Sequence, residues 1–169
     1  MAEFISSDTN IWIDFNAIGV ATMPFKLNCT FIMWNEAVEF EILTPEGLRE
    51  KLLDAGLQAV RLSAKEFFLA DEYGDRYAAL STYDAVALAI AKCRDITLLT
   101  GDMRLRKAAA KEGVSVMGTI GLLDRLLAEN LIRVDEYHEV VQALLDANGG
   151  VVRLPENELL ERLEKCGVS

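Results

Sequence analysis

The chain of 169 residues predicts an α/β domain, a parallel sheet with helices on both faces, carrying a helical C-terminal extension. Three observations predict it. Short apolar or β-branched runs alternate with helix-patterned segments as far as residue 128, which gives five strand candidates. Cap and turn residues fall at the joints between them. Beyond Asn130 the pattern becomes purely helical and acidic. The division expected is a domain over residues 1–128 and an extension over 129–169 packed on it.

The first run, Phe4 to Ser7, has almost nothing before it and ends at Asp8. A helix begins at once, with Ile11, Phe15 and Ile18 on one face. A turn-like stretch with Pro24 leads to a compact strand over 29–34, then to a helix over 35–43 with Val38 and Ile42 four apart. Thr44 and Pro45 read as N-cap and first helical position of the next helix, with Leu48, Leu52 and Leu53 on its apolar face and Gly56 as its stop. A short strand over 58–62 follows. Ser63 opens a helix carrying Phe67, Phe68 and Leu69, and Gly74-Asp75 marks a break. Ser81 opens an Ala-rich helix as far as Lys92, ahead of a clear strand over 96–100. Gly101-Asp102 leads into a helix over 103–111 that Gly113 stops, then come a last strand over 114–117 and a helix over 119–128. The tail is broken at Gly149-Gly150 and ends in a segment over 155–166.

Composition excludes several functions. No apolar run approaches the roughly 20 residues that span a bilayer, and the start, Met1-Ala2-Glu3, lacks the basic region of a signal peptide. A soluble, cytoplasmic protein without membrane contact is expected. One histidine, His138, read as a surface residue, and three scattered cysteines, Cys29, Cys93 and Cys166, read as buried free thiols, leave no zinc site and no good histidine relay. Any chemistry must come from carboxylates. The net charge of −10 counts against nucleic-acid binding as a whole. Its distribution does not: residues 92–111 hold six basic side chains against two acids. Such a strip can hold a phosphate backbone.

Four carboxylates stand out. Asp8 and Asp102 each follow a strand and precede a helix, so in a parallel sheet they share one edge, where open α/β sheets bind ligands. Asp84 begins the Ala-rich helix, and Glu41 follows the second strand. Each has an ordinary structural reading. Asp8 can cap its helix. Ser81-x-x-Asp84 fits a capping box, and spacing alone does not separate Glu41 from its neighbour Glu39. Together, three or four converging carboxylates would repel one another unless a hard cation such as Mg²⁺ joined them.

These residues resemble a known family. Ser7-Asp8-Thr9-Asn10 is similar to the opening motif of PIN-domain nucleases. Residues 35–42 are similar to the helix that bears a functional Glu three residues after a Val, which aligns Glu41, although Asn35 stands where a Pro is common. Leu80 to Ala85 and Leu98 to Leu105 resemble the third and fourth acidic motifs. The tail is similar to an extension in a poorly characterised prokaryotic branch of VapC-like PIN proteins. The resemblance implies a three-layer α/β/α fold and a ribonuclease using Mg²⁺ or Mn²⁺. Asp8, Asp84 and Asp102 would hold the metal, Glu41 would complete the site, and Asn10 and Thr100 would support it. Cleavage would leave 5′-phosphate and 3′-hydroxyl ends, with Arg104, Arg106 and Lys107 guiding the RNA. It further implies a homodimer and, in the members that are toxins, an antitoxin partner. The alternative is a catalytically silent PIN-like binding module. A receiver or a haloacid-dehalogenase-like phosphatase fits poorly, because Asn10 stands where the latter needs a second Asp and Leu62-Ser63 where the former needs its phosphorylated Asp.

Overall fold

The computed structural model describes residues 2–167, so Met1, Val168 and Ser169 at the outer limits of the expected division lie outside it. The elements run β1 (Phe4–Ser7), α1 (Thr9–Ala17), β2 (Thr30–Trp34), α2 (Asn35–Phe40), α3 (Leu48–Ala55), β3 (Gln58–Val60), α4 (Ala64–Arg76), α5 (Thr82–Arg94), β4 (Thr97–Leu99), α6 (Met103–Lys111), β5 (Val116–Met117), α7 (Thr119–Ala128), α8 (Val134–Ala147) and α9 (Glu156–Gly167). The five strands form one parallel sheet in the order β3-β2-β1-β4-β5. From β1 the chain winds outward through β2 and β3, then returns to the other side of β1 for β4 and β5. The strand order therefore reverses between β1 and β4, which places the crevice of such a sheet at their carboxyl ends.

The sheet is apolar on both faces because helices cover both. Ile5, Phe31, Met33 and Leu99 turn to one side, where Trp12 and Phe15 of α1 and Leu122, Leu123 and Leu126 of α7 meet them. Ile32 and Leu98, one residue out of phase, turn to the other side, against Leu88 of α5 and Leu105 of α6. The extension joins the first of these cores: Tyr137, Val141 and Leu144 of α8 and Leu159 of α9 belong to the same apolar cluster as Trp12. No helix among the described residues is long and apolar enough to cross a membrane.

Several local expectations are corrected. The helix after β2 stops at Phe40 rather than at 43, leaving Glu41 as its C-cap. The next helix starts at Leu48, not at Pro45, because Gly47 sits at φ 86°, outside helical space. Gly74 does not break α4, which continues to Arg76. One glycine costs a helix only about 1 kcal/mol, and the buried Tyr73 and Ala70 anchor that turn. The three cysteines are free but half-buried rather than fully buried, and His138 is half-buried as well.

Candidate active site

Asp8 sits where the strand order reverses, and its neighbours leave it little freedom. Its backbone N–H donates to the Leu99 carbonyl (2.9 Å), which extends the β1–β4 ladder by one residue. Just before it, the Ser6 hydroxyl donates to the Ala87 carbonyl of α5 (3.0 Å), and the Trp12 indole donates to the Ser7 hydroxyl (3.1 Å). The backbone of Asp8 has the extended conformation of an N-cap, yet its side chain accepts no capping bond from α1. Instead Oδ2 accepts from the hydroxyl of the fully buried Thr100 (2.9 Å). The cap reading fails for this residue.

It holds for two of the others. The Asp84 carboxylate accepts from the Ser81 N–H (3.1 Å) in a complete capping box at the start of α5. Asp102 caps α6, accepting from the N–H groups of Arg104 (2.8 Å) and Leu105 (3.3 Å). Its own N–H donates to the Thr100 hydroxyl (3.1 Å). Thr100 thus ties Asp8 and Asp102 together through one oxygen.

Glu41 faces the same cleft, accepting from the Thr9 hydroxyl (2.7 Å), whereas Glu39 is exposed. Asp8, Thr9, Glu41, Trp34 and Tyr83 line a narrow cavity of about 10 Å³, room for roughly one water. Burial first, then the charges of Asp84 and Glu41, push the Asp8 carboxyl up to about 7, against the Thr100 bond. Burial also raises Glu41, and Asp84 raises it further. Among the described residues no lysine or arginine pairs with Asp8, Glu41, Asp84 or Asp102. Asp8, Glu41 and Asp84 lie within reach of one another's charge, without a counter-charge.

The donor set suits a hard divalent cation, being carboxylate and hydroxyl oxygen with no thiol or imidazole. As the side chains point, however, no three such groups among the described residues converge on one ion position. Asp84 and Asp102 are turned into their helix caps. Turning them toward Asp8 would exchange capping bonds worth about 1 kcal/mol each, a small cost beside that of three uncompensated acids. The residues fit the cation in chemistry and charge.

Asn10 is exposed on α1 and lines a second groove with Asp102 and Asp14. Asp14 was not singled out by the sequence reading, although it stands one turn after Asn10 on the same helix face. It is 9% exposed and accepts from the Thr119 hydroxyl (3.0 Å), and burial pushes its carboxyl up to about 6. Thr9, adjacent to Asp8, is the other site residue passed over. The basic strip divides. Arg94 pairs with Glu66 (2.6 Å) and Lys92 donates to the Glu112 carbonyl (2.7 Å), so both are structural. Arg104, Arg106 and Lys107 are exposed on α6 and have no acidic partner among the described residues.

A five-stranded parallel sheet whose reversal point is lined by acids defines an open α/β protein with its ligand crevice at Asp8. A family model described as DUF3368, a PIN domain, matches residues 4–167, extension included, and the chain belongs to that family. PIN domains are generally nucleases and typically use divalent metals. No curated protein and no solved structure matches the chain.

Proposed function

We propose that this protein is a ribonuclease that hydrolyses RNA phosphodiester bonds at the Asp8 cleft with Mg²⁺ or Mn²⁺. The observation that carries this reading is that Asp8, buried at the reversal point, feels the charges of Glu41 and Asp84 with no basic side chain among the described residues to balance them. Asp8, Asp84 and Asp102 are the residues that would hold the cation, and Glu41 completes the set. When bound, the cation supplies charge stabilisation for the phosphate and an acidified water. The chain's own residues supply the rest. Thr100 fixes the carboxylate of Asp8, Thr9 fixes that of Glu41, and Asn10 offers an exposed amide beside Asp102. Arg104, Arg106 and Lys107 hold the RNA backbone.

The test separates metal binding from folding. Mg²⁺ or Mn²⁺ should raise the Tm of the wild type, since a ligand of the folded state stabilises it. Asp8→Asn should melt no lower than wild type without metal, because it removes a buried carboxylate. It should lose most of the metal-induced rise together with cleavage of single-stranded RNA. An equal metal-induced rise in both proteins would sink the assignment. The second reading, a silent binding module, is favoured by the use of Asp84 and Asp102 as helix caps. It predicts no metal-induced rise at all.

A further inference from the structure

A groove of about 440 Å³ opens at the β5 edge of the sheet, between the start of α6, the start of α7 and the segment joining α8 to α9. Asn10, Asp14 and Asp102 line the adjoining groove of about 350 Å³, which shares Gly101, Arg153 and Leu154 with the first. The two therefore form one path leading away from Asp102.

Arg106 and Arg153 stand in the outer groove, 47 positions apart in the chain, and neither has an acidic partner among the described residues. Arg106 reaches back over Gly118: a Cβ there would lie 3.0 Å from a guanidinium nitrogen and 3.6 Å from the Thr100 carbonyl oxygen. Its charge thus lies at the carboxyl edge of the sheet, by the ends of β4 and β5. Arg153 comes from the extension, where its Nε has only a long contact with the Gly150 carbonyl (3.5 Å). Arg162, also on the wall, is committed to Asp124 (2.9 Å), and the acid on the wall is Glu158. Met103, 62% exposed, adds an apolar surface against which a base could lie.

Two unpaired guanidinium groups in one concavity recognise a phosphate, which their planar donors fit better than an ammonium does. A solvated surface arginine needs no partner, but two from separate parts of the chain, brought to one groove on a protein of net charge −10, are a different matter. We propose that Arg106 and Arg153 together bind a backbone phosphate of single-stranded RNA, flanking the phosphate held at the acidic cleft. The extension then forms part of the substrate site. This rests on the ribonuclease reading and adds to it a second contact point on the strand.

The experiment is fluorescence anisotropy of a short labelled single-stranded RNA with the full chain. Ca²⁺ replaces Mg²⁺, since its looser coordination favours binding over hydrolysis, and a gel verifies that the RNA stays intact. Arg153→Ala and Arg106→Ala should each raise Kd by roughly tenfold at low salt and flatten the salt dependence by about one counterion. Arg153→Lys should recover part of the loss. Arg133→Ala, an exposed arginine paired to Asp135 outside the groove, should bind as wild type. If wild type binds while both groove variants bind equally well, the subsite is wrong and the ribonuclease reading stands. An equal loss in Arg133→Ala would reduce the effect to general charge and overturn the subsite too. Absence of any binding by wild type would overturn both.

Discussion

Asp8, Asp84 and Asp102 each stand at a helix start, and three similar positions receive three different treatments. Asp84 and Asp102 give their oxygens to backbone N–H groups, while Asp8 gives its own to Thr100. The difference follows from burial: Asp8 is 7% exposed and enclosed by two strand ends, and the other two stand half-buried at the surface. Asp14 extends the same physics to a residue outside the four acidic motifs. Its carboxyl keeps a proton up to about pH 6 in the folded chain, against about 3.9 when unfolded. Below pH 4 both states are protonated and burial costs nothing. Above pH 6 both are ionised and the folded state bears the cost, so stability falls as pH rises through that window. Asp14→Asn keeps an oxygen for Thr119 and should raise stability at pH 7, by at most about 3 kcal/mol. The gain should shrink toward zero as melting is repeated down to pH 4. A gain independent of pH would show that the carboxyl is not the cause.

At the scale of elements, the site depends on two neighbouring strand ends, β1 and β4, and Thr100 joins them. Its hydroxyl donates to Asp8 and accepts from the N–H of Asp102, so one side chain sets the spacing between β1 and the start of α6. Thr100→Val keeps the shape but leaves a buried carboxylate and an N–H without their partner. The expected cost is about 1–3 kcal/mol in chemical denaturation, with a weaker metal-induced rise in Tm. Thr100→Ser should restore most of both. If Val and Ser behave alike, the hydroxyl does not organise the site. The three inner strands β1, β2 and β4 were legible because each is a short run of apolar or small residues largely buried in the sheet, whereas the edge strands β3 and β5 are more exposed. Most helix starts were legible too, from Asp8, Ser63, Ser81 and Asp102, with one exception. Thr44-Pro45 looks like a cap and first turn, yet the left-handed backbone of Gly47 delays α3 to Leu48.

For the whole molecule, the extension and the sheet share one apolar cluster. Leu144 of α8 is fully buried in it with Trp12 and Phe15. Two ion pairs add to it: Arg125 of α7 pairs with Glu3, just before β1, and Arg162 of α9 pairs with Asp124 of α7. Leu144→Ala should therefore destabilise the chain by about 2–5 kcal/mol. The loss should appear in the fluorescence of Trp12 and Trp34, which both lie far from the mutation in sequence. An unchanged tryptophan transition, with only helical signal lost, would mean that α8 and α9 unfold by themselves.

The amino-acid sequence by itself determined the alternation of strands and helices, the parallel sheet, and the candidacy of Asp8, Glu41, Asp84 and Asp102. Those features are written in local periodicity and in short motifs at strand ends, which act over a few residues. Only the tertiary structure decided that Glu41 rather than Glu39 faces Asp8, that Asp14 is buried, that two of the six basic residues of the strip are spent on Glu66 and Glu112, and that Arg153 and Arg106 line one groove. Such facts depend on which segments meet across the fold, and spacing along a chain carries no record of what packing brings together.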